Sequence, residues 1–453
     1  MPANNSPQVL IVPLKPALIL GMAQKLPVLV RVQAPDADPA QQKVRKPYQL
    51  SLVIDRSGSM SGEPLLEAVR CARHMIDRLA PTDLASLVSF DDRVDVMVPA
   101  RPVGDRKTLY AALSHIRSGG STNLHGGWKA GMESILPGAG NAALARVILL
   151  SDGNANVGET TGSAEIAALF AAAAEQGVTT STYGLGRDFN EELMVRMAQR
   201  GGGNHYYGDT AADLLEAFAE EFDFISSLYA RQVRLSLAAP AGVKMTLIND
   251  YPVEAREGFP MIRLPDIPFG AEAWALVDLE IPAGMALDAG IQLLQAEVTC
   301  TSPDGVPIAI PDARLVLPAL SPQAWDALLA DPLVLARQAE LEAGRFLDQA
   351  RRSAEQGDWE AIARMIEVAR QRFAEHPWVM EILQGMADLA KVRDSARFSK
   401  GAMYSARKMN SRLSAKEEAL ASLDMEAAMP SFLRRKKQQG KAEFDPRTDG
   451  DKA

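Results

Sequence analysis

Short apolar runs and longer amphipathic runs divide the 453-residue chain into stretches of different rhythm. Residues 8–34 hold QVLIVPL, PALILG and LPVLVRVQA, split by proline and glycine, and read as strands. APDADPAQQKVRKP reads as a polar linker. From Tyr48 strands and helices alternate. YQLSLVID is an unbroken apolar strand ending in a polar loop, and EPLLEAVRCARHMIDRLA has helical spacing. LASLVSF and RVDVMVP read as strands joined by a tight turn at Asp91–Asp92. Helices fit KTLYAALSHI and LHGGWKAGMESIL, on either side of the loop SGGSTN. The series continues with the strand ARVILLS, the helix SAEIAALFAAAAEQG, the strand TTSTYGLG, the helix NEELMVRMAQRGG and the short strand NHYYG. A long helix, AADLLEAFAEEFDFISSLYA, closes it.

Fully apolar strands alternating with helices predict a parallel sheet covered on both faces. The expected unit is a doubly wound, Rossmann-like α/β domain over 48–229. Its ligand site should lie outside the carboxyl ends of the strands, where Asp55 and Asp152 fall. From 230 to 318 the β pattern returns, and a β-sandwich is expected there, completed by the N-terminal strands of 1–47. The α/β domain would then be inserted in the sandwich. Two separate β units would leave the N-terminal strands poorly buried. Residues 319–428 carry apolar positions at i, i+3, i+4 and i+7 and predict a helical bundle, with a hairpin at Gly357–Asp358. The polar, locally basic tail 429–453 is expected to be disordered. The fold class is thus multidomain: α/β plus all-β plus α.

Composition narrows the function classes. The hydrophobic fraction is 47% and the charged fraction 23%, ordinary for a globular chain. Forty-eight basic and 57 acidic residues give a net charge of −9, which argues against nucleic-acid binding by charge. Two cysteines, Cys71 and Cys300, lie far apart and read as buried free thiols. The N-terminus lacks a basic segment before its apolar stretch, which Pro13 and Pro16 interrupt. No window approaches the roughly 18 uncharged apolar residues of a membrane span. A cytoplasmic protein is expected.

The chemistry concentrates in three loops. Asp55-Arg56-Ser57-Gly58-Ser59 follows a buried strand and precedes a helix. SGGSTN supplies Thr122, and VILLSDG supplies Asp152. Serine and threonine hydroxyls with two carboxylates form a set of hard oxygen donors suited to an octahedral cation such as Mg²⁺. A site with few direct anionic ligands leaves the ion electrophilic and open to an outside carboxylate. Read apart from the other two loops, the serines could instead cap the following helix through Ser59 or Ser61. Asp91 and Asp92 read as a turn in preference to extra metal ligands, and His125, which with Asn123 flanks the threonine, as a surface residue at a helix start in preference to one lining the site; Asn154 and Asn156 suit a loop with left-handed positions. Glu159 reads as solvent-exposed, and Trp128 as core.

The D-x-S-x-S run, with the threonine and aspartate loops in matching order, resembles the von Willebrand factor A family. The resemblance covers roughly 180 residues and looks like single-chain bacterial members. It implies a metal-ion-dependent adhesion site at Asp55, Ser57, Ser59, Thr122 and Asp152. Ser57 and Ser59 would then coordinate through their hydroxyls, and Thr122 directly or through water. Asp55 and Asp152 would act mainly through bound waters. Gly58, Gly119 and Gly120 would let the loops turn closely.

The resemblance implies a protein–protein interaction module that captures a partner's Asp or Glu through Mg²⁺, or through Mn²⁺ or Ca²⁺. An alternative is a co-factor of a separate AAA+ ATPase in metal insertion or complex remodelling, since the chain has no G-x-x-x-x-G-K-[ST] loop of its own. An enzyme is not expected. No G-x-S-x-G elbow, no H-E-x-x-H and no paired cysteine zinc ligands are present. In relatives the last helix of the α/β domain, here around 211–229, moves with the metal loop, and a linked two-state change is expected.

Overall fold

The computed structural model describes residues 6–36, 47–136, 144–185, 190–208, 224–256, 259–283, 290–411 and 414–415. The expected tail 429–453 and residues 209–223 of the expected closing helix lie outside the described residues. Two compact units emerge. One comprises Met1–Ala37, Val233–Thr299 and Ala309–Ala453, and the other Asp38–Gln232 and Cys300–Ile308.

The first unit contains two sheets and a set of helices. Strands β1 (Gln8–Pro13) and β2 (Gln24–Gln33) precede the α/β segment. They join β13 (Ala271–Ile281) and β10 (Lys244–Leu247), which follow it, in the order β1-β2-β13-β10. β2 and β13 run antiparallel from Gln33↔Glu272 to Gln24↔Ile281. β13 is buried along nearly its whole length, in keeping with the apolar run AEAWALV. The second sheet has the order β11-β12-β9-β14-β15, from Val253–Arg256, Phe259–Arg263, Leu228–Ala238, Ile291–Thr301 and Ala313–Leu317. PALILG contributes only Leu18–Ile19, which pairs in parallel with Ala319–Leu320.

Among the described residues a five-residue helix, Pro322–Asp326, is followed by four long ones: α6 (Pro332–Glu355), α7 (Trp359–Arg372), α8 (Pro377–Val392) and α9 (Ser395–Ser411). The side chains of Asp331 and Asp358 cap α6 and α7. Gly357, at φ +73°, makes the turn between them. A common core of Leu347, Ile362, Ile366, Phe373, Leu383 and Phe398 holds the four together. α6 also seats Val334 and Leu341 on Leu29, Trp274 and Leu276 of the first sheet. The helices and that sheet therefore belong to one packed unit. Among the described residues no helix is long and apolar enough to cross a membrane.

The α/β unit is a six-stranded sheet ordered β5-β4-β3-β6-β7-β8. Its strands are β3 (Tyr48–Asp55), β4 (Leu84–Phe90), β5 (Val94–Pro102), β6 (Leu144–Ser151), β7 (Val178–Leu185) and β8 (Gly202–Gly208). All neighbours are parallel except β5, which returns antiparallel along β4. β3, β6 and β7 are buried at every position; β3 and β6 read as mainly apolar runs for that reason, whereas β7 is the β-branched, polar run VTTSTYGL. β5 buries only Val98, as suits an edge.

Helices α1 (Glu63–Arg78), α2 (Lys107–Ser114), α3 (Leu124–Ile135), α4 (Ser163–Glu175) and α5 (Glu191–Arg200) complete the unit. Trp128 of α3 stacks on Phe170 of α4 at 4.0 Å between centroids and donates its indole N–H to Thr180 Oγ1 at 3.0 Å. Trp128 is thus core, as expected. The chain runs outward from β3 to β5 and then restarts at β6 on the other side of β3. The carboxyl ends of β3, β4 and β6 meet at this reversal, the place where open α/β sheets bind ligands.

Candidate metal centre

Asp55 is the last residue of β3 and is fully buried. Its Oδ1 accepts the Ser57 amide at 2.9 Å, and its Oδ2 accepts the Ser151 hydroxyl at 2.5 Å. Burial pushes its carboxyl up to about 6, against the hydrogen bonds from Ser151 and Ser57, and the nearby charge of Asp152 adds to the rise. Ser57 is 1% exposed, and its Oγ lies 3.2 Å from Oγ of the exposed Ser59. Neither hydroxyl caps a helix. Gly58–Met60 forms one 3₁₀ turn, and α1 starts after Gly62 with no side-chain cap. The capping role weighed for Ser59 and Ser61 is not what the chain uses these residues for.

The threonine loop is tied to the serine loop through the backbone. The Gly58 amide donates to the Gly120 carbonyl at 2.9 Å, and the Gly119 amide to the Arg56 carbonyl at 2.8 Å. A Cβ at Gly119 would collide with the Asp91 carboxylate, and one at Gly120 with that of Asp92. Close approach therefore favours glycine at 119, where the Asp91 carboxylate is held by Arg56 and the Arg93 amide, more than at 120, where the exposed Asp92 is free to swing aside. Thr122 is 1% exposed. Asn123 caps α3 by accepting the Gly126 amide at 3.0 Å.

The third loop hangs from the second. The Thr122 carbonyl accepts the amides of Asn156 and Val157 at 3.1 and 3.2 Å. Asp152 is buried. Its Oδ1 accepts the Asn154 amide at 3.1 Å, and its carbonyl accepts the Asn190 amide at 2.7 Å. The left-handed positions fall on Gly153 and Gly158, at φ +70° and +121°, and not on Asn154 or Asn156.

Asp55, Ser57, Ser59, Thr122 and Asp152 thus sit on three loops that are cross-tied at the reversal point of the sheet. The donors on offer are two carboxylates and three hydroxyls. Among the described residues no three His, Cys, Asp or Glu side chains gather into a metal-ligand set. Hard oxygen ligation of a small divalent cation fits these donors, and a cation beside Asp55 and Asp152 would relieve the repulsion between two buried carboxylates.

Three contributors escape a reading of the sequence. Ser151 also accepts the Gly153 amide at 2.9 Å and so joins Asp55 to the Asp152 loop. Its one signal is adjacency to Asp152. Asp91 does make the expected turn, accepting the Arg93 amide at 2.8 Å, but it also pairs with Arg56. Its carboxyl lies below the usual range, because the Arg93 amide and Arg56 outweigh a burial cost that acts the other way. His125, expected at the surface, is 5% exposed, and burial holds its imidazole below the ordinary value. Glu159 is exposed, as expected, and pairs with Lys129 at 3.6 Å.

Residues 50–221 match the family model of the von Willebrand factor type A domain. An uncharacterized protein of Synechocystis is 25% identical over 266 residues, which cover 56% of this chain and 61% of the relative. The chain therefore spans less than two thirds of that relative's length. Among solved structures, a von Willebrand factor type A protein from Catenulispora acidiphila aligns with a TM-score of 0.69 at 14% identity, covering 91% of this chain and 98% of that one. The ArnB paralog VWA2 from Sulfolobus acidocaldarius aligns with a TM-score of 0.58 at 17% identity, covering 89% and 99%. At these identities the two structures speak for the fold. Over residues 50–221, then, the chain is similar to the von Willebrand factor type A domain.

Proposed function

We propose that the α/β unit binds a divalent cation, Mg²⁺ foremost, and through it a carboxylate of a partner protein. One observation carries the reading. The hydroxyls of Ser57 and Ser59 converge to 3.2 Å, uncommitted to any helix cap, beside the buried carboxylate of Asp55. In this reading Ser57, Ser59 and Thr122 hold the ion through neutral oxygens, while Asp55 and Asp152 balance its charge. Few direct anionic ligands leave the ion able to accept one more, and an outside Asp or Glu supplies it. The site binds and does not turn over a substrate.

In our reading the α/β domain is inserted in a β-sandwich, and a helical bundle follows. The pairing of β2 with β13 across the inserted segment supports the insertion.

The test is affinity purification of the full chain with Mg²⁺, with EDTA, and with the Asp152→Ala variant. A partner recovered in Mg²⁺ and lost in both other arms supports the proposal. The same partners in all three arms would exclude a metal-mediated contact.

A further inference from the structure

We infer that Arg56 and Asp91, neither of them a ligand, clamp the serine loop to the threonine loop and so set the metal affinity of the site. The inference rests on the metal-binding reading above. Arg56 stands between Asp55 and Ser57. Its amide donates to the Phe90 carbonyl and its carbonyl accepts the Gly119 amide, both at 2.8 Å. Asp91 follows Phe90 at the end of β4. Its carbonyl accepts the amide of Asn123, the residue after Thr122, at 2.8 Å. Arg56 is therefore fastened by its backbone between two proposed site residues, and Asp91 beside a third, Thr122.

The side chains close the gap between them. Arg56 Nη2 donates to Asp95 Oδ2 at 2.6 Å and to Asp91 Oδ1 at 3.4 Å, while Nε lies 3.2 Å from Asp91 Oδ2 as an ion-pair contact without hydrogen-bond alignment. The Arg56 and Asp91 side chains are 17% and 10% exposed, so solvent screens the pair weakly. The Asp91 carboxylate also lies against Gly119, where a Cβ has no room. A shift of Arg56 would carry Ser57 with it, and a shift of Asp91 would carry the Thr122 loop.

A purely electrostatic role makes the opposite prediction. A guanidinium next to a cation site repels the cation. If charge alone mattered, removing Arg56 would tighten metal binding. If the clamp matters, removing it loosens binding. Lysine at 56 keeps the charge but loses the planar fork that reaches Asp91 and Asp95 together.

The experiment is calorimetric titration of the full chain with Mg²⁺ for the wild type, Arg56→Ala and Arg56→Lys, with thermal melting in EDTA as the fold control. The clamp requires both variants to bind Mg²⁺ about tenfold more weakly or worse, the usual consequence of losing an outer contact at a metal site, while melting cooperatively. Affinity equal to or above that of the wild type in either folded variant overturns it. Should Arg56→Ala fail to melt cooperatively, Arg56→Lys decides by the same criterion. A wild type that takes up no Mg²⁺ removes the metal-site reading and the clamp with it. A wild type that binds, alongside an unchanged Arg56→Lys, removes the clamp alone.

Discussion

The Ser151 hydroxyl donates to Asp55 Oδ2 at 2.5 Å and joins the carboxyl ends of β3 and β6 through two residues 96 apart in sequence. The same oxygen accepts the Gly153 amide at 2.9 Å. One buried atom thus orients the first proposed ligand and fixes the backbone just past the last. Ser151→Ala should weaken Mg²⁺ binding by about tenfold, in line with outer contacts elsewhere. It should also lower stability by about 1–3 kcal/mol through an unsatisfied buried carboxylate oxygen. Titration calorimetry and urea unfolding read the two effects, and unchanged affinity would rule out the orienting role.

Through Asp55, acidification should stabilise the metal-free α/β unit. The Asp55 carboxyl sits at about 6 in the folded chain because burial disfavours its charge. Its unfolded value is roughly 3.9. The folded state therefore holds the proton more tightly. The contribution of Asp55 to stability is lowest above pH 6 and rises as pH falls through 6 towards 4, by about 2–3 kcal/mol, while the lowered carboxyl of Asp91 acts the other way. Denaturant melts in EDTA from pH 7.5 to 5, taken as the difference between wild type and Asp55→Asn, should show this slope. Saturating Mg²⁺ should flatten it. Parallel curves for the two proteins in EDTA would show that burial does not raise Asp55.

The buried pair Arg31–Glu272 should prove costly to break. Arg31 on β2 donates to both Glu272 oxygens on β13 at 2.7–3.1 Å, and Gln33 adds a bond at 2.8 Å. Glu272 is 1% exposed. Arg31→Met strands that carboxylate and should cost about 3–5 kcal/mol, much of it recovered in the double variant with Glu272→Met. Urea unfolding of the three variants measures this. A loss under 1 kcal/mol would show that the pairing across the inserted segment contributes little.

Both thiols should be inert in the native chain. Cys71 and Cys300 are free and buried. Burial, aided by the charge of Glu67, pushes the Cys71 thiol up to about 12, and burial pushes Cys300 up to about 11. The thiolate is the reactive form. An aromatic disulfide reagent at pH 8 should label neither within minutes, and both after unfolding. Rapid native labelling would contradict this burial.

Legibility from sequence followed burial. β3 and β6 are covered on both faces and their mainly apolar runs announced them, while β7, equally buried, was legible through its β-branched residues Val178, Thr179, Thr180 and Thr182. Val253–Arg256 carries the charged residues Glu254 and Arg256 at the end of its sheet and left no apolar run to read. Pro16 and Gly21 confine PALILG to a two-residue pairing. In the site, motif and loop order pointed to the five proposed site residues. Ser151, Arg56 and Asp91 were not legible, because their partners arise only when β3, β4 and β6 end side by side. His125 misled because the first turn of a helix looks the same in sequence whether or not neighbouring loops cover it.

The most direct test of the central claim is calorimetric titration of the full chain with Mg²⁺, wild type against Asp152→Ala. The account predicts saturable binding to the wild type at a single site, and its loss or severe weakening in the variant while the fold persists in EDTA. Equal affinity in the two proteins, or no uptake by the wild type, would contradict a metal site built on Asp55, Ser57, Ser59, Thr122 and Asp152.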